Sequence, residues 1–391
     1  MTALLTLILG RLPIGWLQLT HNPARLAAAL AGVAFSNILI FMQLGFLGAL
    51  LETVALPYNL MEADILISAA DANTLADGGP LPRQRMFEAL AIPGVATATA
   101  ISFAKLDLKQ PDGTIRTLDV FGIDPAASVF RSTDINAARQ QLQLSNVALI
   151  DRKTRNAPKN LFASISTEKP YVFEANNKTL TVIGTFEIGG GFSADGYLVI
   201  SDQTFLKLFP QRSSGAPNHI LVKVQPGANV KAVIERLRVV LPVSDTLVRS
   251  VADAASRDQN FQTTQKPVGV IFGFGVFIGV LVGIIIAYQV LATDVADHIR
   301  EYATFKAIGY RQRFFLSVVF EEATILAVFG FVPGILVSLA LYKLIATVTG
   351  LPVAMSASRP FLVLGGTMVM CALSGAIATR RLAAANPADL F

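Results

Sequence analysis

The chain has 391 residues and a formal net charge of +5; 53% of its residues are apolar and only 15% are charged. Soluble domains carry about 25% charged residues, so this composition argues against a soluble protein and indicates a membrane protein. The modest positive charge comes without a long run of lysine or arginine, which argues against nucleic acid as a partner.

Residues 1–22 are the first predicted element. Their apolar start is too short to cross a bilayer and lacks a basic beginning, so it fits a cleavable signal peptide poorly. Because Arg11, Trp16 and His21 follow that start, we predict an interfacial amphipathic segment on the cytoplasmic side.

Four apolar runs are long enough to cross about 30 Å of hydrocarbon. They lie at residues 26–51, 267–293, 323–342 and 360–379, and the third helix is expected to begin nearer Phe314. The single cysteine, Cys371, lies in the fourth run and is interpreted as a small core residue.

Basic residues in the short connecting segments predict the orientation. Most of them lie in the N-terminal tail, in segment 294–313 and in the C-terminal tail, so these three parts are predicted to be cytoplasmic. Segment 53–266 is then predicted to lie on the extracytoplasmic side of the membrane. The predicted fold class is an α-helical membrane protein with four transmembrane helices and a large mixed α/β extracytoplasmic domain inserted between helices 1 and 2.

The outer domain shows both strand and helix patterns. Strands are predicted at 63–70 and 219–226, and helices at 82–95 and 229–242. A hairpin turn is predicted at Asp112-Gly113, and two further strands are predicted within 178–201, on either side of its glycine-rich turn. This order indicates one subdomain, about 53–110 plus 215–262, split by a β-rich insertion at about 111–214.

The complete predicted organisation follows from these boundaries. It is 1–22 interfacial segment, 23–52 first transmembrane helix, 53–266 extracytoplasmic domain, 267–293 second helix, 294–313 cytoplasmic coupling helix, 314–342 third helix, 343–359 outer loop, 360–379 fourth helix and 380–391 cytoplasmic tail.

Three glycines of the second run, Gly275, Gly279 and Gly283, recur every four residues. This spacing places them on one face of a helix, where the missing side chains allow a second helix to approach closely. We predict a helix–helix contact there, and a contact across a homodimer axis would satisfy this prediction. Ordinary glycine enrichment in membrane helices is the alternative.

Several kinds of catalytic and binding site are missing from the sequence. It has no G-x-x-x-x-G-K-[ST] phosphate loop, and its three histidines show no metal-ligand spacing. No span has a charge in its central turns, and Glu321 and Glu322 are expected to stay in the headgroup layer. These observations argue against an enzyme, a bound cofactor or metal, and an ion-coupled carrier.

Segment 294–313 is charged although it lies between two apolar runs. If the second span continues past Asp294 as a helix, one face carries Val295, Ile299, Tyr302 and Ala303. The other face carries Asp297, Arg300, Glu301 and Thr304, with Phe305 at the margin. Gly309 is predicted to stop or bend this helix. A simple positive-inside loop would need only the arginines, so a cytoplasmic docking surface explains the pattern better.

Four stretches of the sequence carry a family resemblance. "REYATFKAIGYRQRFF" (300–315) and the ending "RRLAAANPADLF" resemble signatures of the FtsX/MacB superfamily of ABC transporter permeases, and the predicted topology is similar to that family's layout. Residues 13–54 and "FEIGGGFSADGYLVISDQTF" (186–205) are similar to the DevC branch, which in cyanobacteria belongs to glycolipid-type exporters. The chain departs from the usual R-E-I-G at Tyr302 and Ala303.

The resemblance implies a non-catalytic, homodimeric permease of a bacterial, cyanobacterial-type inner membrane. ATP would be bound and hydrolysed by a separate cytoplasmic ATPase dimer. The periplasmic domain would contact a membrane-fusion adaptor and, through it, a TolC-like channel of the outer membrane. Lipid, glycolipid or another amphiphile would be the cargo.

The resemblance also implies that the segment from Asp297 to Gly309 couples the permease to the ATPase. Its site residues are Asp297, Arg300, Glu301, Tyr302, Phe305, Lys306 and Gly309, with Glu301 and Lys306 as polar contacts and Tyr302 and Phe305 as apolar anchors. Two alternatives keep the same topology: an FtsX-like signalling permease that controls a cell-wall hydrolase, and a lipoprotein-release type permease.

Overall fold

The structure is a computed structural model, and it describes residues 13–109, 115–155, 157, 162 and 165–384. The description covers the side chains in these ranges except those of Lys109, Arg300, Ala303, Lys306, Ala307, Gln312 and residues 380–384. The first twelve residues of the predicted interfacial segment, the predicted turn at Asp112-Gly113 and residues 385–391 of the predicted tail therefore lie outside the described residues.

The described helices alternate with strands only in the middle of the chain. In order they are α1 (Ile14–His21), α2 (Pro23–Leu60), α3 (Gln84–Leu90), α4 (Thr133–Ala138), α5 (Asp202–Leu208), α6 (Val230–Val240), α7 (Val251–Thr264), α8 (Pro267–Asp297), α9 (Ile299–Ala307), α10 (Gln312–Thr349) and α11 (Ser358–Ala384).

Nine described strands form one sheet between α2 and α8. They are β1 (Ile65–Ala69), β2 (Val95–Lys109), β3 (Ile115–Ile123), β4 (Val147–Asp151), β5 (Tyr171–Ala175), β6 (Lys178–Phe186), β7 (Gly196–Ser201), β8 (His219–Val224) and β9 (Thr246–Ser250), in the spatial order β5-β6-β4-β7-β3-β2-β8-β1-β9.

Four helices of the described chain are long and apolar enough to cross a membrane. They are Pro23–Leu60, Pro267–Asp297, Arg313–Thr349 and Ser358–Thr379. With the mixed α/β sheet domain between the first two, they confirm the predicted fold class. All four continue beyond the apolar runs at one end or both, because a polar side chain does not by itself end a helix. The third ends where Gly350 takes a positive φ of 68°, a backbone conformation that favours glycine.

The described chain divides into two compact units. The first contains the described residues up to Gly48, Val270–Ile345 and the described residues from Val353; the second contains Ala49–Gly269 and Ala346–Pro352. The first unit is helical, and its core includes Leu291, Val319 and Cys371. Cys371 is fully buried, as its position in an apolar run predicts.

The second unit is built around the sheet. Strands β2 and β3 pair antiparallel from Ile101↔Ile123 to Lys109↔Ile115, as the predicted hairpin requires. The two strands predicted around the glycine-rich segment, β6 and β7, do not pair with each other; each pairs with β4, which lies between them. The division of the outer domain into a subdomain, about 53–110 plus 215–262, and a β-rich insertion, about 111–214, stays a prediction.

Helices α6 and α7 of the second unit each begin at a side-chain cap. Asn229 Oδ1 accepts a hydrogen bond from Lys231 N at 3.0 Å, and Ser250 Oγ accepts one from Asp253 N at 3.0 Å. Such caps satisfy amide groups that have no partner in the first helical turn. In α6 the helical spacing buries Val233, Ile234 and Leu237, so this helix covers one face of the sheet.

Candidate functional site: the helix between the second and third spans

Helix α9 packs with one face against other helices of the first unit. Tyr302 is only 3% exposed, its ring meets Phe315 of α10 edge-on at 5.5 Å, and its hydroxyl donates to Gln18 Oε1 of α1 at 3.2 Å. Burial, and then the charges of Glu322 and Asp294, raise the pKa of Tyr302, so its hydroxyl stays protonated. The expectation that Tyr302 is an anchor on a docking surface is therefore wrong: its ring is already packed inside the chain.

A glycine turn ends α9. Gly309 has a φ of +104°, and Tyr310 N donates to Phe305 O at 3.1 Å. This six-residue hydrogen bond and the contact between the rings of Phe305 and Tyr310 at 5.5 Å are the features of a Schellman motif with glycine at its left-handed position. Phe305 also lies 6.1 Å from Phe314 of α10, so the turn is packed as well as hydrogen-bonded.

The other face of α9 is open to solvent in the described chain. Glu301 and Thr304 are exposed, and Ile308 just after the helix is 70% exposed. The side chains of Arg300 and Lys306 are not among those described. Helix α9 thus exposes Glu301 to solvent, while the buried side chain of Tyr302 packs against α10.

Asp297 lies at the end of α8 and forms an ion pair with Arg25 of α2. Arg25 also lies 3.9 Å from the buried carboxylate of Asp294, and His298 Nδ1 lies 3.7 Å from the other oxygen of Asp294. The side chain of Asp297 is therefore exposed to solvent and is also ion-paired with the first span. Sequence reasoning placed it in the coupling segment but did not predict Arg25 as its partner.

Two acids of α10 are buried against other residues of the chain. Glu321 is 8% exposed and Glu322 is fully buried; their position in the headgroup layer stays a prediction. Helix α1 covers them: Trp16 N donates to Glu321 Oε1 at 3.2 Å, and a Cβ at Gly15 would come within 2.9 Å of Glu322 Cγ. A buried carboxyl group is costly, so the close packing of α1 must offset that cost.

The glycine stripe of α8 packs against helices of the same chain. A Cβ added at Gly275 would meet the side chain of Gln43, and one at Gly279 would lie 2.9 Å from Ile40 Cγ1, both in α2. Ser36 Oγ also donates to Gly279 O at 2.8 Å. Gly283 would meet Ser36 and, in α11, Met370. The stripe thus brings α8, α2 and α11 together within one chain.

A metal site in the described part of the chain would need several ligating side chains close together. No three histidine, cysteine, aspartate or glutamate side chains in that part of the chain could hold a metal ion.

Two family profiles match the chain. The MacB-like periplasmic core domain matches residues 26–240, more than half of the sequence, and the FtsX-like permease C-terminal domain matches residues 273–387, which include α9. The chain belongs to the MacB/FtsX-like family of ABC transporter permeases. Members of this family are transmembrane permease subunits of ABC transporters and are generally non-catalytic. No curated protein matches the sequence.

Several solved structures are similar to parts of this permease. The periplasmic region of MacB from Actinobacillus actinomycetemcomitans is 14% identical, covers 52% of this chain and 95% of its own, and has a TM-score of 0.34. The extracellular domain of the ABC-type transporter YknZ from Gram-positive bacteria is 12% identical, with 46% and 91% covered and a TM-score of 0.33. A permease domain from Porphyromonas gingivalis is 12% identical, with 49% and 88% covered and a TM-score of 0.31.

Proposed function

We propose that this permease is the membrane subunit of an ATP-driven exporter of the DevC type, and that α9 passes the motion of a cytoplasmic ATPase dimer to the periplasmic domain. The observation that carries the proposal is the two-sided geometry of α9. Its inner face is fixed to α10 and α1 through Tyr302, while its outer face presents Glu301. A helix held this way cannot move without moving the spans it is packed on.

The proposed partners follow from that role. The permease works as a homodimer on two ATPase subunits, which bind the ATP that this chain does not. Its periplasmic domain engages a membrane-fusion adaptor and, through it, a TolC-like channel. The cargo is a lipid, a glycolipid or another amphiphile. The inner membrane of a cyanobacterium is the proposed location, with both chain termini in the cytoplasm.

Purification with native partners tests the proposal. The tagged chain is extracted gently from its own membranes, and its bound proteins and lipids are identified by mass spectrometry. We expect an ABC ATPase, a membrane-fusion adaptor and an amphiphile in the complex. A cell-wall hydrolase or its activator in place of the adaptor would favour signalling, and a lipoprotein in place of the amphiphile would favour lipoprotein release. A complex without an ATPase would contradict the proposal.

A further inference from the structure

The second unit contains a cavity of about 210 Å³ that is lined by both polar and apolar side chains. The polar side chains include Asp119 of β3, Tyr197 of β7 and Asp258 of α7. The walls are formed by apolar side chains, among them Leu50, Val54, Phe103, Ala194 and Val268. The combination suits a molecule that has a polar head and an apolar tail.

The position of the lining residues along the chain indicates where such a molecule comes from. Leu50 and Val54 belong to α2 at the outer end of the predicted first span, and Lys266 and Val268 lie where the second span begins. Segments that leave a bilayer are at the level of its lipid head groups. An amphiphile in the outer leaflet therefore has its head group at the level of these segments.

The two acids of the cavity differ in how well they are satisfied. Asp258 Oδ2 accepts hydrogen bonds from Tyr58 Oη at 2.9 Å and Leu75 N at 3.1 Å, and its Oδ1 accepts one from Gln262 Nε2 at 3.1 Å. Both oxygens of Asp258 therefore already have partners within the second unit, which indicates a structural role for this residue. Asp119 is 6% exposed, and its Oδ1 accepts no hydrogen bond from any residue that the structure describes.

One cation lies near Asp119 without satisfying it. Lys105 Nζ is 3.7 Å from Asp119 Oδ1, too far for a hydrogen bond, and it donates instead to Ser193 O at 2.6 Å and Ser193 Oγ at 2.7 Å. Burial, opposed by Lys105, raises the pKa of Asp119 to about 6. At neutral pH the carboxyl group is thus largely ionised and lacks a close hydrogen-bond donor, which is an unfavourable state for a buried acid.

We propose that this cavity binds the primary ammonium head group of an amphiphile, with Asp119 as its counter-ion. An ammonium group supplies both the positive charge and the N–H donors that the carboxylate of Asp119 lacks. Burial and then the charge of Asp119 raise the pKa of Tyr197, so its hydroxyl stays neutral and can accept a further N–H. Lys266, the cation among the lining residues, can pair with an acidic group that follows the ammonium, such as a phosphate.

The inference depends on the proposed function in one respect only, that the bound amphiphile is cargo. Binding is therefore measured on the full chain without its ATPase, in nanodiscs of phosphatidylcholine, whose head group has no N–H donor. Trp16 is the only tryptophan of the sequence, so the Trp16→Phe, Phe192→Trp chain carries one reporter at the cavity wall. Dodecylamine, decyl glucoside and dodecyl sulfate are titrated against the reporter at pH 7.5.

We expect dodecylamine to give a saturable fluorescence change that the glucoside and the sulfate do not give. Asp119→Asn keeps the shape of the side chain and should weaken the amine roughly ten-fold or more, as the loss of a charge-assisted hydrogen bond does. The matched control is Asp107→Asn, an exposed acid on the neighbouring strand β2, which should bind like the parent. Tyr197→Phe should weaken dodecylamine binding several-fold, and it provides a second variant if Asp119→Asn does not fold.

Replacing part of the phosphatidylcholine by phosphatidylethanolamine identifies the source of the head group. If the aminophospholipid competes with dodecylamine, a membrane lipid is the ligand; if it does not, the ligand is a free amine amphiphile. The proposal is overturned if the amine gives no saturable change, if the glucoside binds as well as the amine, or if Asp119→Asn binds like Asp107→Asn. A failure of binding leaves the coupling role of α9 untouched, because no ATPase takes part in this measurement.

Discussion

Gly309 shows how one residue sets the geometry of the candidate site. Its φ of +104° lies in the left-handed region, and no atom lies within 4 Å of a Cβ built on it. A side chain there therefore meets no steric block from its neighbours and pays only the backbone cost, about 1–2 kcal/mol for most residues. Asparagine tolerates this conformation better than alanine.

We predict that Gly309→Ala weakens the stimulation of ATPase activity by the permease more than Gly309→Asn does. The reason is that alanine strains the turn that joins α9 to α10, whereas asparagine keeps it. ATPase rates of the reconstituted complex provide the measurement, with membrane insertion of each variant as the control. Equal rates for the two variants would show that the left-handed turn does not matter for coupling.

Asp119 links one residue to the stability of the second unit. Its pKa is raised from 3.8 to about 6 in the folded chain, so the folded state binds the proton more tightly than the unfolded state. The stability contributed by the protonated form is fully present below pH 3.8 and is lost as the pH rises through about 6. The size of the effect is on the order of 1–3 kcal/mol.

Accordingly, Asp119→Asn should unfold at a higher temperature than the parent at pH 7.5, and its advantage should shrink as the pH falls below about 6. Thermal unfolding of both proteins in ligand-free nanodiscs at several pH values measures the difference. Comparing the two proteins removes the contributions of other buried groups such as His219. A constant or opposite difference across this pH range would contradict the burial cost assigned to Asp119.

At the scale of elements, the glycine stripe of α8 offers a matched pair of substitutions. Gly279 lies against Ile40 of α2, whereas no atom lies within 4 Å of a Cβ at Gly273 on the same helix. Gly279→Leu should therefore separate α8 from α2 and cost about 1–3 kcal/mol, while Gly273→Leu should be nearly neutral. Thermal unfolding in detergent measures both. Equal effects would show that the face of Gly279 is not the packed one.

The sequence predicts elements well where the signal is local. The four spans follow from the length of their apolar runs, the hairpin partners β2 and β3 from their turn and alternation, and α6 from helical spacing. The order of the strands in the sheet does not follow from local signals. Strand β4 lies between β6 and β7, and such a pairing depends on contacts far apart in sequence, which no local pattern specifies.

The candidate site shows the same limit. The amphipathic pattern predicts a helix near α9 and its buried and exposed faces. It cannot tell that the buried face already has partners. Trp16 and Glu321 are 305 positions apart, and Tyr302 and Gln18 are 284 apart. An interfacial position of α1 gives no reason to expect the burial of Glu322 or the internal role of Tyr302.

At the scale of the whole molecule, coupling through α9 requires a defined orientation of the chain in the membrane. Ser213 and Thr304 are both exposed side chains, one in the second unit and one on α9. In a Cys371→Ser background, Ser213→Cys should react with an impermeant maleimide on intact cells, and Thr304→Cys should react only after the membrane is opened. Labelling of Thr304→Cys on intact cells would overturn the orientation and the docking role together.

The central claim is that the exposed face of α9 meets the ATPase, and Glu301 tests it most directly. Glu301→Lys reverses a surface charge without touching the packed face that holds Tyr302. Its matched control is Glu235→Lys, the same exchange at an exposed position of α6 in the periplasmic domain. The measurement is ATPase stimulation by each variant, reconstituted with the ATPase in liposomes, together with capture of the ATPase by the tagged permease. We predict that Glu301→Lys inserts normally but loses both stimulation and capture, while Glu235→Lys keeps them; normal stimulation by Glu301→Lys would contradict the account.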